Sequence, residues 1–201
     1  MVGESGDPGS EQLALAASGV GALLQRDYWA VIRESRLSPR GIGELLARHF
    51  TELAPNEWVR FQVSEEHAGG LTEGDRIDVH IRGAGDFTVG VIHRDAQSLT
   101  LATVRGHPEA GRITFGAYRN GRGDVVFHIR SHARASSRKN HLGFLGAGDP
   151  MQTSTWTDLV NRVALIAGDG VVGYIRADTR QIRDEPEATA LHAPTYRAQG
   201  D

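Results

Sequence analysis

The stretch that decides the fold is DPMQTSTWTDLVNRVALIAG, residues 149–168. Its opening Asp-Pro suits the cap and first position of a helix, and Gln152 fits a capping box. Apolar residues then recur at helical spacing and form one face, namely Met151, Trp156, Leu159, Val160, Val163, Ile166 and Ala167. A helix of about 18 residues spans roughly 27 Å, which is long enough to lie across a whole sheet.

The residues before this helix alternate with a period of two, which is typical of strands. Six strands are predicted, at residues 57–63, 76–82, 87–93, 98–105, 112–118 and 124–134. Asn120-Gly121 is the strongest hairpin signal between them. One earlier helix is predicted to begin with Ser38 as its cap and Pro39 in its first position, and to end before Pro55.

This order of elements predicts the α+β class, with a curved antiparallel sheet of about six strands gripping a long C-terminal helix. Such a helix-grip architecture commonly leaves a cavity between sheet and helix. We expect residues 1–26 to form an N-terminal arm, 27–178 the domain and 179–201 a flexible tail. Residues 171–176 are compatible with an extension of the helix or with a last strand.

Composition narrows the classes of function. The 201 residues suit one domain, and 22 basic against 25 acidic residues argue against a dedicated polyanion binder. The absence of cysteine excludes thiol nucleophiles, disulfides and iron–sulfur ligation. The apolar run from Leu13 to Leu24 is shorter than the ~20 residues of a membrane span and lacks the basic flank of a signal peptide. We expect a cytoplasmic protein without membrane insertion, and we predict no oligomeric state.

The loop Gly106-His107-Pro108-Glu109-Ala110-Gly111 is the most unusual local sequence. Pro108 stiffens it, so that His107 and Glu109 are candidates for an imidazole–carboxylate pair in proton transfer. The alternative is a well-made loop in which both residues only satisfy backbone groups. For an enzyme of the cyclase, isomerase or hydrolase type, His107 and Glu109 are the predicted catalytic residues.

The predicted hairpin places polar groups in the cavity. A two-residue turn at Asn120-Gly121 sets His128 opposite Ile113, so that His128 and Arg130 share a face with Phe115. Arg130 suits a carboxylate or phosphate group. The predicted ligand-binding residues are His128, Arg130, Phe115, Trp156, Val160 and Val163.

Two further classes of site are weighed on the same strand. His128 and His132 lie about 13 Å apart on a strand, too far for one ion, so no metal is predicted. No cofactor is predicted either. The basic edge at residues 130–139, from Arg130 to Lys139, lacks the aromatic residues that stack on bases. A solvated basic edge, or a surface that docks an acidic partner, is favoured over a site for nucleic acid.

The loop also carries a family resemblance. Gly106-His107-Pro108-Glu109-x-Gly111, then a strand with Phe115, a strand at 125–131 and Arg134-Ala135, resembles an uncharacterised bacterial and plant family over roughly residues 74–168. The resemblance implies a START-like or polyketide-cyclase-like helix-grip fold and an important His107 loop, and it implies no reaction. Arg112 stands where that family usually has an acidic residue.

The leading hypothesis is therefore a protein that binds a hydrophobic small molecule between sheet and long helix. It predicts a cavity of at least about 300 Å³ there. The acid–base enzyme and the interaction module are the alternatives.

Overall fold

A computed structural model describes residues 12–54, 57–63, 69–137 and 149–183. In chain order the elements are β1 Val20–Val31, α1 Pro39–Leu53, β2 Val59–Val63, β3 Arg76–Ile81, β4 Gly85–Arg94, β5 Ser98–Thr103, β6 Glu109–Arg119, β7 Val125–Ala135, α2 Asp149–Ala167 and β8 Arg176–Ile182. The eight strands form one antiparallel sheet in the order β2-β3-β4-β5-β6-β7-β1-β8. Both helices pack on one face of this sheet, which we call the inner face.

Both predicted helices are present. The Ser38 hydroxyl accepts a hydrogen bond from the Gly41 N–H at 3.1 Å and caps α1, as predicted. In α2, Leu159, Val160 and Val163 are fully buried, whereas Ile166 is 47% exposed and does not belong to the buried face.

Strands β1 and β8 were missed by the period-two pattern. β1 lies between β7 and β8 in the interior of the sheet, and β8 forms one edge. The boundaries expected at 26/27 and 178/179 fall inside these two strands. β1 carries the consecutive buried polar residues Gln25, Arg26 and Asp27, which interrupt the alternation of apolar and polar residues.

Residues that lie opposite each other on neighbouring strands share a face of the sheet. One such row on the inner face consists of Tyr28, Ile129, Phe115 and Leu99. The ring centroids of Phe50 on α1 and Trp156 on α2 lie 5.0 and 5.4 Å from that of Phe115. The hydrophobic core therefore lies between the middle of the inner face and the two helices.

The hairpin between β6 and β7 differs from the prediction. Residues 120–124 form a longer loop, in which the Asn120 side-chain oxygen accepts hydrogen bonds from the N–H groups of Arg122 and Asp124, both at 2.9 Å. An asparagine that bonds the backbone in this way stabilises a turn without the two-residue geometry.

The longer loop changes the register of the hairpin. His128 lies opposite Gly116 and not opposite Ile113, a shift of three residues. Because side chains alternate between faces, an odd shift exchanges the faces. The prediction that His128 and Arg130 share a face with Phe115 is therefore wrong. Both lie on the outer face of the sheet, opposite to the helices.

Candidate functional site

The predicted ligand-binding residues divide between the two faces. Phe115, Val160 and Val163 are fully buried in the core, and Trp156 is half-buried at its edge. The centroid of the Trp156 ring lies 6.5 Å from that of Phe61, so an aromatic cluster occupies the space beneath the middle of α2. Polar groups on the inner face must therefore come from other residues.

The polar groups of the inner face include an ion pair near one end of it. The Arg26 side chain is 1% exposed, and its Nη1 lies 3.4 Å from Oε1 of Glu109 on β6. Gln152 of α2 donates through Nε2 to Oε2 of the same carboxylate at 2.5 Å. A single carboxylate thus connects β1, β6 and the long helix. Sequence reasoning missed Arg26, which lies in the segment assigned to the arm, and considered Gln152 only as a capping residue.

The strand between these partners presents small side chains. On the inner face of β7, Ser131 lies opposite Arg26, and Ala133 lies opposite Gly111 of β6. A Cβ atom at Gly111 would lie 2.2 Å from the His132 carbonyl oxygen, so the backbone excludes a side chain there. We call Ser131, Ala133 and Gly111 the inner floor. The Ser131 hydroxyl is buried and has no hydrogen-bond partner among the described residues.

The His107 loop forms a backbone contact. Nδ1 of His107 accepts a hydrogen bond from the Glu109 N–H at 3.0 Å, and the ring packs edge-on against Phe87 with centroids 5.2 Å apart. Burial lowers the pKa of His107 to about 4, so the ring is neutral at pH 7. The Glu109 carboxylate turns instead toward Arg26 and Gln152. The expected imidazole–carboxylate pair is therefore not formed, because the carboxylate has a cationic partner on β1. His107 satisfies a backbone group, as the alternative predicted, but the Glu109 carboxylate binds side chains.

On the outer face, His128 and Arg130 bind a buried carboxylate. Asp27 is 0% exposed and accepts hydrogen bonds from Gln25 Nε2 at 2.7 Å, His128 Nε2 at 2.7 Å and Arg130 Nε at 2.6 Å. Burial alone would raise the pKa of Asp27. The hydrogen bonds from His128 and Gln25 and the charge of Arg130 outweigh burial and lower that pKa to about 2.

His132 extends this network. Its Nε2 lies 3.0 Å from Oε1 of Gln25, and burial together with the charge of Arg112 lowers the pKa of His132 to about 4. Within the described ranges, no three His, Asp or Glu side chains are placed to hold a metal ion. Of the predicted basic edge, Arg130 is bound to Asp27, while Arg138 and Lys139 lie outside the described residues.

A groove of about 520 Å³ lies where β1 ends, between the turn into α1 and the loop at 120–124. Val31, Glu34, Arg122 and Val172 are among its lining residues, and none of the six predicted ligand-binding residues is. It lies at the C-terminal end of β1, whereas Arg26 lies in the middle of that strand.

No protein-family model matches the chain, and no curated protein matches it in sequence. Its structure is similar to norcoclaurine synthase from Thalictrum flavum, with a TM-score of 0.51 and 12% identity over 73% of this chain and 98% of that one. A hypothetical protein from Helicobacter pylori is similar with a TM-score of 0.52 and 6% identity, over 70% and 86% of the two chains. At these identities the similarity establishes the fold alone.

The predicted helix-grip fold is therefore confirmed, with eight strands in place of about six. The resemblance to the family with the Gly-His-Pro-Glu-x-Gly signature stays a prediction. In the part of the chain that the structure describes, neither helix combines the length and the apolar character that crossing a membrane requires.

Proposed function

We propose that the protein binds a small organic molecule on the inner face, over the inner floor and beneath the first turns of α2. The observation that carries the proposal is the buried Arg26–Glu109 pair, which Gln152 joins to the long helix. The apolar body of the ligand would pack against Trp156, and a hydroxyl or carboxylate group would point toward the ion pair.

Energetics support a functional role for this pair. Removing two charges from water costs several kcal/mol, and apolar residues of similar volume often stabilise a core at least as well. A guanidinium beside a carboxylate offers both donors and acceptors in one place, as ligand sites in apolar cavities do. The Ser131 hydroxyl, which finds no partner in the described part of the chain, adds a third polar group to the same end of the face.

The small side chains of the inner floor also support the proposal, because they leave room for a ligand. Ala133 is buried but lies outside the main hydrophobic cluster, whereas Ala117, farther along the same face, belongs to it. In a structure of norcoclaurine synthase from Thalictrum flavum, a protein of similar fold, the complex contains dopamine and hydroxybenzaldehyde. Both are small aromatic molecules with polar substituents, the class of ligand that we propose here.

The test replaces one alanine of the inner floor, Ala133, and one alanine of the hydrophobic core, Ala117, by leucine. The probe is 8-anilinonaphthalene-1-sulfonate, followed by its fluorescence, and stability is measured by urea unfolding. Ala133→Leu should keep the free energy of unfolding within about 1 kcal/mol and weaken probe binding at least tenfold, because the new side chain occupies the site. Ala117→Leu overpacks a filled region and should cost about 1–3 kcal/mol.

The proposal fails if Ala133→Leu destabilises the protein as much as Ala117→Leu, since the floor would then be as tightly packed as the core. It fails equally if Ala133→Leu folds normally and binds the probe like the wild type.

A further inference from the structure

The outer face of strands β6, β7, β1 and β8 is strongly cationic. Register places seven charged residues on it, namely Arg112, Arg130, Arg134, Arg176, Arg180, Asp27 and Asp178. This face thus carries five arginines and two aspartates, although the formal net charge of the whole chain is -3. Cationic residues are therefore concentrated on this face and not spread evenly over the molecule.

Three of these arginines converge on His132. Arg112, His132, Gln25 and Arg180 form one row across the four strands. Arg130 lies one step along β7 on the same face. Two strand spacings, about 10 Å, separate β7 from β8, which is within the combined reach of two arginine side chains. The charges of Arg112, Arg130 and Arg180 each act to lower the pKa of His132, which agrees with their positions around it in the sheet.

This cluster has unused hydrogen-bond donors. Arg130 donates through Nε to Asp27, but its Nη2 is buried and has no acceptor among the described residues. Asp27 is not a further acceptor for this group, because its two oxygens already accept from three donors. Arg180 is exposed, and in the described parts of the chain its side chain forms no ion pair. A buried N–H group without an acceptor is costly, so an acceptor from outside the chain would be bound favourably.

We propose that the outer face binds an oxyanion, the phosphate or carboxylate group of a small molecule, over His132 and Gln25 between Arg130 and Arg180. The planar fork of a guanidinium matches the oxygen spacing of both groups and binds them more strongly than neutral donors do. This site lies on the side of the sheet opposite to the inner floor, so it stands independently of the function proposed above.

The test is an NMR titration of the full chain, following the side-chain signals of His132 and Arg130. Sodium phosphate and sodium acetate are added separately at constant ionic strength, with sodium chloride as the balancing salt. At least one of the two should give saturable shifts. Tighter binding of phosphate assigns the site to phosphate groups, and tighter binding of acetate assigns it to carboxylates.

Two variants decide whether binding is local. Arg180→Gln should weaken binding about tenfold, and because Arg180 is exposed, the fold should be unaffected. Arg60→Gln, an exposed arginine on β2 at the far edge of the sheet, removes the same charge and should leave binding unchanged. Shifts that do not saturate with either anion overturn the proposal. So does an equal loss of binding in both variants, which would indicate a diffuse effect of net charge.

Discussion

Replacing Asp27 by asparagine should destabilise the fold severely. The Asp27 carboxylate is fully buried and accepts from three donors, of which His128 and Arg130 share Oδ1. Asparagine keeps one acceptor oxygen and places an NH₂ group where the second oxygen received Gln25. The variant therefore loses a hydrogen bond and leaves the Arg130 guanidinium, which is only 13% exposed, without its counter-ion.

Breaking a buried ion pair by removing one partner costs about 3–5 kcal/mol, a large part of the roughly 5–15 kcal/mol that stabilises a typical domain. With a urea dependence of about 2 kcal/mol per molar, the midpoint of unfolding should fall by about 2 M. The matched control is Asp78→Asn. Asp78 is exposed on β3, and from the described residues it accepts only a long hydrogen bond, from Thr88, so its loss should stay within about 0.5 kcal/mol.

The loss of stability caused by Asp27→Asn should depend on pH. The pKa of Asp27 is about 2 in the folded protein, against 3.8 for an ordinary aspartate. The stability that its charge contributes is therefore fully present above pH 4 and is lost as pH falls through 2. The difference between wild type and Asp27→Asn should narrow across that range. A midpoint within about 0.5 M of the wild type at pH 7 would refute the claim that this carboxylate holds β1 and β7 together.

Two other predictions concern stability. His107 and His132 both have a pKa of about 4 in the folded protein, below the ordinary 6.5. As pH falls, the unfolded chain takes up protons first, so stability should fall between pH 6.5 and 4 by up to about 3 kcal/mol for each ring. Urea midpoints that stay constant from pH 7 to 4.5 would contradict this. Gly43→Ala should lower the melting temperature, because its Cβ would lie 2.5 Å from the Ala96 carbonyl oxygen. Gly41→Ala in the same helix meets nothing closer than 3.4 Å and should gain up to about 1 kcal/mol. A gain in both glycine variants would show that α1 can move away from the strand connection.

The elements that could be predicted are those with one apolar face. α1 follows from its cap and its helical stripe, and β3 shows the alternation of buried and exposed residues that the period-two pattern requires. β1 could not be found in this way, because polar groups are buried on it by pairing and not by apolar contact. β8, an edge strand with mostly exposed side chains, has no apolar face to detect.

The candidate sites were harder to predict than the elements. Glu109 stood out by its stiff loop, but its partners Arg26 and Gln152 lie 83 and 43 residues away in sequence, so no local spacing indicates them. The prediction placed His128 and Arg130 on the inner face because it assumed the wrong turn between β6 and β7. Asn120-Gly121 is favourable in a two-residue hairpin, yet the bonds of the Asn120 side chain to Arg122 and Asp124 stabilise a longer loop. The conformation of this one loop therefore decides the face on which every side chain of β7 lies.

The order of charges in β1 gives this strand a structural role that apolar alternation does not. Arg26 and Asp27 are consecutive, so they point to opposite faces, each toward a counter-ion on another strand. A slip of β1 by one residue against β7 would turn Asp27 toward the apolar core and remove Arg26 from Glu109. Both pairs would break at once, and each lost partner would leave a buried charge. We infer that the two pairs hold the register of β1 from both sides of the sheet. The same strand then serves both proposed sites, supplying Arg26 to the inner face and Gln25 to the outer face.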